Sequence, residues 1–396
     1  MQYLIIKESM INFNSITRKI RFDRNEFAGA FGDIGTDLPL IIGMIIASGL
    51  DSASVLITYG IMQIITALIY GMPMPVQPLK AVALIVITQK IAPGIIYGGG
   101  LAIGLVMLIL TLTGLIGLIA KYIPKVVVRG IQFGLGIQLA MVALKDYVLA
   151  DSFPGYIIAV VAFVLIIILM GNRKYPPAIL IIVAGIIYAL VLHFDILSSV
   201  KFIQFAAPKL LTPSLSDIFT GFLILALPQI PLSIGNSIIA TRQIAHDLFP
   251  EKNVTIRKIS FTYSIINLIN PFFGGIPTCH GSGGMAGHYA FGARTGGSVM
   301  IYGLLFLTIG IFFSGSFATV VKIFPLPVLG VILLFEGLWL MVFIKDIIDS
   351  KKSFFIALLV ALIACGLPYG YLIGMIVGTI LFYISDKHVK SYLKIP

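Results

Sequence analysis

Apolar runs follow one another from Ala28 to Tyr383 with no interval long enough for a soluble domain, and this decides what the chain can become. With 59% hydrophobic and 11% charged residues, the sequence reads as an all-α polytopic membrane protein. A spanning helix needs roughly 20 residues. The runs divide into about 14 spans, the first seven near 27–49, 53–70, 71–90, 98–120, 124–145, 154–171 and 176–193. The second seven lie near 215–242, 257–271, 272–294, 298–320, 324–344, 353–367 and 369–386.

The net charge of +11 does not mark a nucleic-acid binder, because the basic residues sit in short loops and at the termini rather than on one face. Placing the amino terminus in the cytoplasm puts 18 Lys or Arg inside and five outside, namely Lys90, Lys145, Lys201, Lys209 and Lys322. That bias predicts cytoplasmic termini by the positive-inside rule. Residues 1–26 lack the short apolar core and small-residue site of a cleaved signal and read as a cytoplasmic segment. Cys279 and Cys365, both in apolar surroundings, make no disulfide framework.

Two spans are broken. PMPVQPLK, from Pro73 to Lys80, and GGIPTCHGSGGMAG, from Gly274 to Gly287, put proline, glycine and polar residues where a helix should continue. Non-helical backbone at membrane depth is tolerated only inside protein or beside a water-filled cavity, so each break predicts one wall of a binding site. Pro75 and Pro277 are 202 residues apart. The fifth and twelfth spans align without gaps from Gly130 and Gly330 onward at an offset of 200, sharing methionine, valine, lysine and aspartate at 141/341, 142/342, 145/345 and 146/346. An offset of seven spans reverses direction in the membrane, which predicts two inverted seven-span repeats, residues 27–195 and 213–386, joined by a connector at 196–212 and followed by a cytoplasmic tail at 387–396.

Proline keeps residues 71–77 extended, and a helix is expected from Pro78; the tenth span mirrors this, extended over 271–278 and helical from about His280. Two helix N-termini then meet at mid-depth, where their free N–H groups favour an anion. Gln77, Pro78, Leu79 and Lys80 form one expected wall, and Thr278, Cys279, His280, Gly281, Ser282 and Gly283 the other. Lys80 and His280 would add positive character, Thr278 and Ser282 hydroxyl donors, and the glycines close backbone approach. Asp33 and Asp37 share a helix face and are expected either to take up protons for coupled transport or to neutralise Lys80 or Arg129, with Glu336 as a third coupling candidate. No metal or cofactor is expected. Neither an HExxH zinc motif nor a GxSxG elbow occurs, so the chain does not read as an enzyme.

FGDIGTDLP, PMPVQPLKA, GNSIIATRQIAHDLFP and GGIPTCHGSGGMAGHYAFGARTGG resemble the molybdate transporter family related to sulfate permeases. The resemblance covers nearly the whole membrane region. It implies the seven-plus-seven inverted fold, with spans 1–4 and 8–11 as a substrate-carrying core and spans 5–7 and 12–14 as a gate or scaffold. It also implies an anion held between spans 3 and 10, at Gln77 to Lys80 and Thr278 to Gly283, and moved by an elevator-like or rocking transition. Only about ten residues follow the last span, where the wider sulfate permeases carry a regulatory domain. The expected activity is secondary transport of molybdate, with sulfate next and protons as the candidate coupling ion, in the plasma membrane; a homodimer is compatible with this reading. A nucleobase or organic-anion symporter, or a passive anion channel, is the alternative.

Overall fold

The computed structural model describes residues 20–122, 124–150, 153–169, 177–192 and 203–392. The first expected span is two helices, α1 (Arg24–Ala30), capped by the Asp23 carboxylate, and α2 (Ile34–Ser48). Helix α3 (Ser52–Tyr70) is capped by Asp51 and stops at Gly71, whose left-handed conformation (φ 59°) turns the chain into the first break. There strand β1 (Val76–Pro78) precedes the short helix α4 (Lys80–Gln89). Helices α5 (Pro93–Leu112), α6 (Ile116–Tyr122), α7 (Lys125–Val142), α8 (Phe153–Leu169) and α9 (Pro177–Leu192) complete the first half, and α7 runs on into a π-helical stretch at Ala143–Val148.

The second half opens with α10 (Leu215–Leu248), which is π-helical at Phe222–Ala226 and Ser233–Ala240. Pro228 and Pro231 lie between these stretches and supply no backbone N–H, so the regular ladder is already interrupted there. After α11 (Ile256–Ile269) come strand β2 (Thr278–His280) and the short helix α12 (Ser282–Ala290). Helix α13 (Gly297–Phe312) is bent by 93° from α14 (Ser314–Ile323), and α15 (Leu326–Val342), α16 (Lys351–Gly366) and α17 (Gly370–Tyr392) finish the chain.

Each expected span holds one or more of these helices, and each expected break holds a strand. By length and hydropathy, six helices among the described residues can cross a membrane, or seven if α13 and α14 count as one; α4 and parts of α8, α9 and α17 are apolar but shorter. Several boundaries differ from the sequence reading, and three of them concern the breaks and the tail. Helices α4 and α12 begin at Lys80 and Ser282, about two residues later than expected, because 76–78 and 278–280 are used in strand pairing. Helix α17 continues to Tyr392, past the expected start of the tail at 387, since no proline or glycine interrupts it there.

Packing divides the helices into two groups. Helix α3 lies along α13, and α5 lies along α10 and α11; in the other group α7 packs on α15 and α16, and α16 on α17. The α3–α13 contact is close enough that a Cβ on Gly60 would stand 2.6 Å from the Gly303 carbonyl oxygen, so only glycine fits. The two groups touch where α4 meets α7 and where α2 meets α15 and α9. In the described part of the connector, Gln204 N–H donates to Phe312 O and Lys209 N–H to Ser54 Oγ, which ties this strap to the first group.

Candidate functional site

The two breaks meet. Strands β1 and β2 pair antiparallel, with Val76 opposite His280, Gln77 opposite Cys279 and Pro78 opposite Thr278, and the Leu79 N–H extends the pairing to Pro277 O (3.0 Å). A two-stranded ribbon leaves the outer edge of each strand unpaired, which is costly away from water. Side-chain amides cover both edges. Gln63 of α3 accepts from Val76 N–H (2.8 Å) and donates to Val76 O (2.6 Å), while Asn267 of α11 accepts from Thr278 N–H (2.9 Å) and donates to Thr278 O (2.6 Å). Tyr59 and Tyr263 stand four residues before these amides, so a Tyr-x-x-x-amide pattern recurs 204 residues apart.

A cavity of about 320 Å³ lies beside the pair, between the two helix groups. Side chains alternate across a strand. Gln77 and Cys279, opposite each other in register, both line the cavity; Val76, Pro78, Thr278 and His280 do not. Lys80 enters from the first turn of α4, and Gly281, Ser282 and Gly283 from the start of α12. Leu79 is buried as the residue preceding α4. Of the ten expected binding residues, the cavity therefore gathers Gln77, Lys80, Cys279, Gly281, Ser282 and Gly283.

His280 is turned into the protein. One ring nitrogen is hydrogen-bonded to Thr262 of α11 (2.7 Å), and the ring meets Tyr70 edge-on at 5.3 Å. Thr278 Oγ1 lies 3.5 Å from Asn270 Nδ2. Gly281 is forced by its neighbour, since a Cβ there would collide with the Gln77 side chain, and a Cβ on Gly284 would collide with the Asp33 carboxylate. A Cβ on Gly283, in contrast, would meet nothing within 4 Å.

The span-1 carboxylates occupy different surroundings. Asp33, the residue before α2, accepts from Gln77 Nε2 (2.6 Å) and abuts the first turn of α12 at Gly284. Asp37 is fully buried, and its Oδ2 accepts from the hydroxyls of Tyr59 (2.5 Å) and Tyr302 (3.2 Å). The side chain of the third coupling candidate, Glu336 on α15, lies outside the described residues.

Arg129 does not neutralise Asp33 or Asp37. Its Nη2 donates to Asp346, which Lys125 also approaches (3.1 Å), and its guanidinium lies 5.0 Å from the centre of the Phe343 ring. Arg129 and Gln132 of α7 line the cavity wall opposite the breaks, while Gln229, Asn236 and Ser237 of α10 complete it. These were not assigned to the site from the sequence, although Asn236 and Ser237 fall within GNSIIATRQIAHDLFP. A larger cavity of about 850 Å³ opens beside Asp51 and Lys209, away from the breaks. Its carboxylate and ammonium neutralise one another at 2.9 Å. Burial alone would raise the Asp51 carboxyl, but the Lys209 and Ser54 hydrogen bonds outweigh it and hold the group below the usual carboxylate range.

Residues 25–139 and 221–340 match the family described as "Molybdate transporter of MFS superfamily". The chain is similar to Molybdate transporter 1 of Arabidopsis thaliana, at 33% identity over 91% of this chain and 87% of that protein. It is also 33% identical to Molybdate transporter 2 of the same plant, over 86% of this chain and 82% of that protein. Among solved structures it resembles the transmembrane domain of the cyanobacterium bicarbonate transporter BicA, with a TM-score of 0.65 at 19% identity, covering 91% of this chain and 98% of that one. It also resembles the murine Solute Carrier 26 family member A9 anion transporter in the inward-facing state, with a TM-score of 0.70 at 13% identity, covering 94% of this chain and 70% of that one. These structures share the all-α polytopic fold, and the sequence matches in both halves place the chain in a family: it belongs to the molybdate transporters.

Proposed function

We propose that the protein is a secondary active transporter of a tetrahedral oxyanion, molybdate first and sulfate second. The observation that carries this reading is the pairing of β1 with β2, which brings the starts of α4 and α12, Lys80 among them, to one small cavity that α7 also lines. Helix N-termini and ammonium groups offer donors and positive charge, and an oxyanion offers only acceptors. The curated relatives are named for molybdate, which favours that anion. The cavity's modest size and cationic lining suit a compact anion better than a nucleobase.

In this reading the chain crosses the membrane 14 times as two inverted repeats. The recurring Tyr-x-x-x-amide clamp supports the repeat, and the two packing groups support a core of spans 1–4 and 8–11 that moves against a gate of spans 5–7 and 12–14. The charge bias supports cytoplasmic termini, and the plasma membrane is the proposed location. Protons are the proposed coupling ion, with Asp33 as their first acceptor: its carboxylate abuts the α12 N-terminus where the anion would sit, and protonation would relieve the repulsion between them. Asp37 and Glu336 remain coupling candidates. Purified protein in liposomes should take up molybdate saturably under an inward proton gradient, with tungstate and sulfate competing. No saturable uptake of any of the three would sink the reading, and currents exceeding carrier turnover by orders of magnitude would replace a carrier with a channel.

A further inference from the structure

We infer that α7 supplies part of the anion site through Arg129 and Gln132, so that a bound anion bridges the two groups of helices. This rests on the oxyanion reading above. Gln132 is fully buried and borders the cavity, and its side-chain oxygen accepts from Arg129 Nη1 at 2.8 Å. Chemistry fixes that orientation, because a guanidinium has only donors to offer. The amide's Nε2 and the Arg129 Nε–H are then buried with no acceptor among the described residues. Buried donors without partners are rare in folded proteins and call for an explanation. An oxyanion in the adjoining cavity supplies one, after a small adjustment of the two side chains.

Charge points the same way. Lys125 and Arg129 share the single carboxylate of Asp346, which leaves this wall with a positive excess. The repeat adds an independent observation. At the offset of 200, the counterpart of Gln132 is Ile332 on α15, which is buried and apolar. An apolar side chain therefore meets the packing needs of this position in the other half. The polar residue serves something that only α7 does, and the cavity it borders is lined by both breaks.

The test uses full-length protein in detergent, titrated with molybdate and separately with sulfate. Gln132→Met keeps the volume and removes the donor, and should weaken molybdate affinity about tenfold, the size of one hydrogen bond to a charged group, with a modest drop in melting temperature from the lost Arg129 contact. Arg129→Lys keeps the charge beside Asp346 but loses the Nε–H and the contact with Gln132. A similar loss is expected, and it reads the proposal independently of packing at position 132. Wild-type affinity in both variants overturns this inference and leaves the oxyanion reading standing. A wild-type protein that binds neither anion overturns both.

Discussion

The two breaks are built alike and equipped differently. Each is a three-residue strand held at its outer edge by an amide from the preceding long helix, Gln63 for β1 and Asn267 for β2, and each leads into a short helix. Their side chains diverge. The first break sends Gln77 and Lys80 to the cavity, whereas the second sends Cys279, Ser282 and bare glycine backbone. The same asymmetry recurs behind them: Tyr59 donates to the carboxylate of Asp37, while Tyr263 shares its hydrogen bond with the hydroxyl of Ser233. Backbone geometry is common to both halves, and most of the charge is placed by the first.

The largest effect should come from the wall that has least chemistry. A Cβ on Gly283 meets nothing within 4 Å, so Gly283→Leu should extend a side chain into the cavity it lines and reduce oxyanion uptake to background, with folding checked by the melting temperature. Retained uptake would mean that the anion does not pass the glycine wall.

The asymmetry itself is sharpened by a matched pair. Lys80→Ala removes a cation from the cavity and should weaken molybdate binding about 100-fold, within the range for a hydrogen-bonded charge pair. Ser282→Ala at the corresponding place in the second break should cost less than about tenfold. Equal losses in equilibrium binding would break the claim that one half carries the charge.

What the two breaks share was harder to read from the chain than what separates them. The membrane class followed from composition, and the breaks from proline and glycine at mid-span, because those residues disrupt a helix wherever it lies. Pairing between segments 202 residues apart has no local signal, and without it both walls read as extended lead-ins to facing helices. Once the strands pair, period-two alternation separates Gln77 and Cys279 from Thr278 and His280, which a residue-by-residue reading had placed together. Arg129 was legible as a charge seeking a partner, but that partner, Asp346, is 217 residues away and in the other half. The Tyr-x-x-x-amide repeat was present in the sequence. Its meaning depends on knowing that a strand edge lies beside each amide.

That shared scaffold makes its own prediction. Gln63→Leu should strip the Val76 N–H of its acceptor, and Asn267→Leu should do the same to Thr278. Each should destabilise the protein by about 2 kcal/mol, the cost of a buried backbone group left unpaired. Closely similar losses in thermal or denaturant unfolding would support a symmetric clamp, while a loss confined to one variant would show that the two strands are held by different means.

The smallest effect is expected at His280, which the sequence reading counted among the binding residues of the second break. His280 occupies the strand position opposite Val76, and its ring is held between Thr262 and Tyr70 rather than in the cavity. His280→Gln keeps a polar group able to reach Thr262 and leaves the cavity lining untouched. Molybdate affinity should stay within about threefold, because no cavity hydrogen bond is lost, with only a modest drop in melting temperature from the lost ring contact. A loss as large as that of Lys80→Ala would return histidine to the binding wall and with it a positive charge to the second break, and the division between the two halves would have to be abandoned.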